Sequence, residues 1–291
     1  MKAFWRHLRR SRAGLLGVVL VSVVVLVAVC CPVIAPYDPN DQSAMMDVGA
    51  NHAPTGAHPL GTDRLGYDVF SRIVYGAPTA LAVGLGVMAI ATSVGLLVGG
   101  VAGYAGGWTD ELLMRLTEFF MVLPVFLVVL AVVRLFSILV VGSWLESVPH
   151  LNLLMVILLL GAFGWPPIAR LVRGEFLRLR QAEFVEAARC IGATGADIVL
   201  RHILPNIVPS LAVAVALGIG GAVLAEAMIS FLGFGDPGSP SWGQLLFFNY
   251  EVLKIAPWSS LAPAGAIFVT VLGFNLLADG LADALDPRRG K

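Results

Sequence analysis

Residues 183–206 read Glu-Phe-Val-Glu-Ala-Ala-Arg-Cys-Ile-Gly-Ala-Thr-Gly-Ala-Asp-Ile-Val-Leu-Arg-His-Ile-Leu-Pro-Asn. This polar island lies between two long apolar runs, and its local chemistry predicts helix, turn, helix. Leu177, Phe184, Ala188 and Ile191 recur at helical spacing and form one predicted apolar stripe. Glu183, Glu186 and Arg189 fall on the other side, with small Ala187 and Ala188 where a second surface can approach. Gly192 follows the last stripe residue, where a helix stops readily in a left-handed conformation. Thr194 stands three residues before Asp197, a capping-box signature for a second short helix. Pro205 ends that helix or begins the next element.

Outward from the island the chain is strongly apolar. Apolar residues make up 58% of the 291 and charged ones 13%, against about 25% charged in soluble domains. The formal net charge is zero, so nothing global points to nucleic acid. Cys30, Cys31 and Cys190 make no disulfide framework and lack metal-ligand spacing. The island carries Arg170, Arg173, Arg178, Arg180, Arg189 and Arg201. At about 3 kcal/mol each at a bilayer centre, these six would cost roughly 18 kcal/mol to insert. The island is therefore in water, and the positive-inside rule places it in the cytoplasm.

The remaining runs fit an all-α integral membrane protein with six spans and both termini cytoplasmic. Residues 1–12 form a basic segment with Lys2, Arg6, Arg9, Arg10 and Arg12, suited to an anionic lipid surface. Residues 13–34 are read as an uncleaved first span, since the apolar part is too long for a signal peptide. Residues 35–78 form a Pro-rich extracytoplasmic loop, within which residues 65–77 suit a short amphipathic helix. The second span is 79–101, where Gly95, Gly99 and Gly103 make a helix-contact face. The third is 111–141, kinked at Pro124, with Arg115 and Glu118 placed to pair. The fourth is 151–169, with Trp165 as interfacial anchor and Pro166-Pro167 bending its exit. A cytoplasmic loop at 170–206 leads to a fifth span at 207–231, an outer loop at 232–258, a sixth span at 259–281 and a cytoplasmic tail at 282–291. Residues 79–281 thus make the core.

Chemistry-bearing groups are few. His52, His58 and Asp63 are a conceivable metal set, though loop histidines are usually solvated, and no metal is expected. Membrane-embedded ionisable groups are functional candidates, and Arg134 and Glu226 are the clearest for a translocation path. Glu226 follows Gly218, Gly220 and Gly221, which suit close packing or a flexible gate. No Gly-Lys-Ser/Thr phosphate loop and no catalytic constellation is visible, so no catalytic residue is expected. An ion-coupled carrier would need an internal repeat and paired midplane carboxylates, neither of which is evident.

The island also resembles the cytoplasmic "EAA" loop of permease subunits from binding-protein-dependent ATP-binding-cassette importers. Glu186-Ala187-Ala188, Gly192 and Leu204-Pro205 stand at that family's spacing, and Arg201 to Asn206 match its peptide-transporter branch. His58-Pro59-Leu60-Gly61-Thr62-Asp63 resembles the stretch before the second span in OppC/DppC-type oligopeptide permeases. Ala225-Glu226-Ala227, Ser230 to Gly233, Ser241-Trp242-Gly243, Ala256-Pro257-Trp258 and Phe274 to Leu281 match later parts in order. Pro166-Pro167, Ala278 and Ala282 depart from the common pattern.

The resemblance implies a type I importer permease fold in the bacterial inner membrane. It implies a heterodimer with a homologous second permease, two ATPase domains that bind ATP and Mg, an extracytoplasmic solute-binding protein and an oligopeptide or dipeptide cargo. Nickel chelates, glutathione or other small solutes are the alternative cargo. It implies that Glu183, Glu186, Ala187, Ala188, Arg189, Gly192, Ala193, Thr194, Leu204 and Pro205 dock on an ATPase subunit. The chain itself would bind no cofactor and catalyse nothing.

Overall fold

A computed structural model describes residues 11–140, 142, 144 and 148–285. The basic residues before Ser11 and the tail charges after Leu285 lie outside it, as does the end of the third span at 141. The described residues are almost wholly helical: α1 Arg12–Val29, α2 Val69–Ala105, α3 Gly107–Val122, α4 Val125–Val140, α5 Leu151–Arg180, α6 Glu183–Cys190, α7 Leu204–Ile229, α8 Trp242–Asn249 and α9 Trp258–Leu285. Between α6 and α7 run the short turn Gly195–Asp197 and the π-turn Ile198–Ile203, and a second π-turn, Ser230–Phe234, follows α7.

Among the described residues five helical stretches are long and apolar enough to cross a membrane, and α3 with α4, bent by 73°, pass the same test when counted together as one. The bend falls at Leu123-Pro124, because proline supplies no N–H and disfavours helix in the residue before it. Leu123 is accordingly extended, at ψ 136°.

Several helices overrun the predicted boundaries. Residues 65–77 do not make a separate amphipathic helix. From Val69 onward they are the first turns of α2, which passes through Pro78 without a break. Val69, Val74, Ala77, Ala80 and Leu81 are all buried around that proline, so packing outweighs the lost hydrogen bond. At 1.5 Å per residue the 37 residues of α2 reach about 55 Å, against about 30 Å of hydrocarbon. Similarly α5 runs through Pro166-Pro167 to Arg180, taking the first arginines of the island onto a rigid helical extension.

α2 lies along α5, α1 along α9, and α9 along α7. Glycines set the closest approach. Gly95 meets Ile168 and Trp165, Gly99 meets Ala169 and Val172, and Gly103 meets Phe176 and Arg173, so the predicted contact face is the α2–α5 seam. Trp165 is not an interfacial anchor. It is 4% exposed, packed edge-on against Phe120 at 5.4 Å and clustered with Ala91 and Ala169.

The outer loop is stapled to the helices by buried polar groups. Asp68 caps α2 and accepts His58 Nδ1 at 2.9 Å, while Tyr37 stacks on the His58 ring at 4.8 Å. His58 is thus 4% exposed rather than solvated. Trp242 Nε1 donates to the Ile73 carbonyl at 2.9 Å, Trp258 Nε1 to that of Thr62 at 3.3 Å, and Asn249 Oδ1 accepts the Arg64 amide at 3.1 Å. Arg64 also pairs with Glu251.

Candidate functional site: the cytoplasmic elbow

α6 is a two-turn helix closed at its C-terminus by local chemistry, while its N-cap residue, Ala182, makes no side-chain capping bond. At its C-terminus the Ala193 amide donates to the Ala188 carbonyl at 3.0 Å and the Gly192 amide to that of Arg189 at 3.0 Å. Those two bonds define a Schellman stop, and they put Gly192 at φ +86°. A side chain there would meet open space, so the position selects glycine through its backbone alone. Thr194 then caps the next turn. Its hydroxyl accepts the Asp197 amide at 3.2 Å and donates to the Asp197 carboxylate at 2.6 Å. Asp197 reaches Arg201 at 3.5 Å. Leu204 and Pro205 stand where the π-turn passes into α7. Gly195–Phe234 is one continuous helical run, so Pro205 neither ends a helix nor opens a separate one.

The predicted stripe is corrected. Val185 and Ala188 are the buried residues of α6, at 0% and 4% exposure. Phe184 and Ile191 face out, at 41% and 86%. The chain breaks at Gln181 and Ala182, so Leu177 belongs to another helix and its phase does not carry over. Val185 joins Phe176, Ile198, Ile203 and Ile207 in the main apolar core. The elbow is therefore seated on the membrane helices by its inner side. Its outer side offers Glu183, Glu186, Arg189, Phe184 and Ile191, with Leu200 at 63% exposure nearby.

Polar clamps hold the helix ends beneath it. Arg173 of α5 takes both carboxylate oxygens of Asp110 at 2.5 and 2.7 Å, tying α5 to the start of α3. Arg180 donates to the Tyr104 carbonyl at the end of α2 at 2.8 Å. Ser210 of α7 donates to Glu175 at 2.7 Å. Arg115 and Glu118 pair at 3.5 Å as expected, and Arg170 lies 3.8 Å from Glu118. These pairs are partly solvated, worth about 1 kcal/mol or less each, so they fix geometry more than they stabilise. Sequence reasoning missed the clamps from Asp110 and Glu175 because both join residues on different helices, and spacing along one helix carries no trace of them.

The two path candidates are not brought together. Arg134 is exposed on α4, and among the described residues it makes no ion pair. Glu226 is 4% exposed on α7 and accepts a hydrogen bond from Ser230, one turn on, at 2.6 Å. Ser241, the N-cap of α8, also reaches the carboxyl, so Glu226 is partnered both within its own helical run and from the neighbouring α8. Of the preceding glycines only Gly218 is tightly approached, by the flexible Met88 side chain. Among the described residues no group of three His, Cys, Asp or Glu is placed to hold a metal ion, and His52, His58 and Asp63 do not converge.

The described residues thus combine a core of long apolar helices, an arginine-bearing helical extension and a capped elbow seated on it. Comparison with known proteins then places the chain. Residues 95–291 match the model of the binding-protein-dependent transport system inner membrane component, and the chain belongs to that family. It is a multi-pass inner-membrane permease subunit of an ATP-binding-cassette importer, not an enzyme. Residues 1–54 match the N-terminal transmembrane domain of oligopeptide transport permease C. Among relatives, the glutathione transport system permease protein GsiD of Escherichia coli O6:K15:H31 is 41% identical over 98% of this chain and 89% of its own. That of Shigella boydii serotype 4 matches equally. The fold is that of inward-facing structures of the MetNI methionine transporter, with TM-score 0.54 at 20% identity over 72% of this chain and 96% of that one.

Proposed function

We propose that this chain forms half of the translocation path of an importer for short peptides, glutathione among them, and that the elbow transmits the stroke of ATPase subunits to it. The observation that carries this reading is the elbow's two-sidedness. Val185, Ala188 and Ile198 root it in the core, while Phe184, Ile191 and Leu200 leave apolar area in water on an otherwise polar segment. Such area is stabilised when a partner covers it.

The partners in this reading are a homologous permease completing the path, two ATPase domains binding ATP with Mg, and an extracytoplasmic binding protein delivering cargo. Closure of the ATPases pushes on a short capped helix that cannot stretch. Because its inner face is packed against α5 and the start of α7, the push rotates whole helices rather than bending a loop. Glu183, Glu186 and Arg189 set the docking register by charge, Gly192 and Thr194 keep the elbow short and stiff, and Leu204-Pro205 stand where it passes into the helix that receives the motion. Ala187 and Ala193 keep it slim enough to enter a groove, while the small Ala188 lets it pack closely on the core.

Cargo follows from kinship and chemistry. The GsiD relatives are named for glutathione transport, glutathione is itself a tripeptide, and the N-terminal match is to an oligopeptide permease. The test is uptake by the reconstituted complex with its binding protein. ATP-dependent accumulation of glutathione, or of di- and tripeptides competing with it, is expected. Accumulation of a nickel chelate with neither peptide nor glutathione transported would overturn the cargo, and ion-driven uptake without ATPase subunits would overturn the coupling.

A further inference from the structure

Between the outer loop, the start of α2 and α8 lies a cavity of about 240 Å³, whose walls include Arg72, Tyr67, Asn40, Gln244, Phe247 and Phe248. Arg72 is 7% exposed, yet its guanidinium is poorly satisfied. Its one protein acceptor among the described residues is Asp63 Oδ2, at a long 3.3 Å, and its Nε is buried with no partner. The guanidinium carbon lies over the Tyr67 ring, 4.4 Å from its centroid.

Asp63 does not make up the deficit. Its Oδ1 already accepts the amides of Leu65 and Tyr67, each at 2.9 Å. A guanidinium carries five donors in a rigid fork, and leaving a buried one unpaired is unfavourable. The cavity thus has a surplus of hydrogen-bond donors beside an Arg72–Asp63 ion pair. A planar two-oxygen anion matches that fork. The volume suits one terminal residue of a ligand, with Phe247 and Phe248 as apolar walls for its side chain.

The place also matters. Phe247 is 37% exposed at the outer rim. On the inner side Ser230 lines the cavity and donates to Glu226 within α7. A ligand bound here would therefore stand above the membrane helices.

We propose that this cavity is an outer subsite for the C-terminal carboxylate of a peptide cargo, with the Arg72 guanidinium as its binding group. The proposal rests on the peptide reading above, and its test separates the two. The complex with its partner permease and ATPase subunits, without binding protein, is placed in nanodiscs carrying Phe248→Cys. The labelling rate of that thiol by a charged reagent is followed with trialanine, trialanine amide, butyrate or butyramide present. Both acids are expected to protect at about tenfold or more lower concentration than their amides, the difference charged hydrogen bonds give. At the acid's half-protecting concentration the amides are expected to leave the rate unchanged. Arg72→Gln removes the protection, and Arg72→Lys keeps part of it.

Equal protection by acid and amide, protection surviving Arg72→Gln, or none by either acid would overturn the subsite. If Arg72→Gln fails to copurify with its partners, the acid-against-amide comparison in the Arg72 protein decides alone. Protection by butyrate together with failure to import trialanine or glutathione would uphold the subsite and overturn the peptide reading.

Discussion

Gly99→Val is expected to abolish most of the folded protein, whereas Gly174→Val leaves it nearly intact. A Cβ at Gly99 would overlap the Ala169 carbonyl oxygen and lie 2.9 Å from the Val172 Cβ. The first obstacle is backbone, so no side-chain rotation relieves it and α2 must back away from α5. That seam also aligns Gly95 and Gly103 against Ile168 and Phe176, so displacement at the middle opens both ends. Overpacking a tight core costs about 1–3 kcal/mol where side chains can adjust, and more is expected where they cannot. Gly174 is the matched control. It sits on α5 in the same turns, and a side chain there meets open space. The readout is the yield and thermal midpoint of detergent-solubilised protein. Equal losses for the two variants would mean that the α2–α5 seam is not closed by these glycines.

Ile191→Asp is expected to lower uptake by the assembled transporter by about tenfold or more, with little effect on the chain's own stability. Ile191 is 86% exposed, and substitutions at such positions usually change folding by less than about 0.5 kcal/mol. A side chain that fills a partner's pocket is different, since losing one commonly costs about 2 kcal/mol or more. Placing a carboxylate there adds a desolvation cost. Measuring uptake and ATP hydrolysis together separates the outcomes. Hydrolysis persisting without uptake places the loss at coupling. Uptake unchanged while the complex stays intact would show that the exposed face of the elbow carries no load.

Much of this was legible beforehand where the signal was local. Gly192, Thr194 and Asp197 announce a helix stop and a cap through chemistry confined to a few residues, and the structure shows both. The four-residue spacing of Gly95, Gly99 and Gly103 announced a contact face, though not which helix it meets. Pro124 broke its helix as expected, while Pro78, Pro166 and Pro167 did not. The difference lies in the surroundings: Pro78 sits among buried α2 residues and Pro166 is itself buried on α5, whereas α3 and α4 contribute only Thr117, Val129 and Val133 to the interior. Proline's local cost is the same in each case, and packing decides whether it is met.

What escaped the sequence was rotation. Trp165 has the composition of an interfacial anchor, and only the packing of Ala91 on α2 and Phe120 on α3 turns its surroundings into core. His58 sits in a loop, where imidazoles are usually wet, until Asp68 and Tyr37 enclose it from elsewhere in the fold. Burial likewise pushes the neighbouring Asp63 carboxyl above its usual range, only partly offset by Arg72 and the Tyr67 and Leu65 amides. The same limit hid which side of α6 faces out, because the break at Gln181 resets the helical phase.

The central claim is that the elbow lies on the inner side against an ATPase subunit. Cross-linking from position 191 tests it most directly. The chain is prepared with Cys190→Ser, which removes the exposed native thiol, and with Ile191→Cys. In the assembled complex a short bismaleimide is expected to join this thiol to an ATPase subunit, and an impermeant reagent added outside sealed vesicles is expected to leave it unmodified. Modification from outside, or an adduct with the extracytoplasmic binding protein in place of the ATPase, would contradict the account.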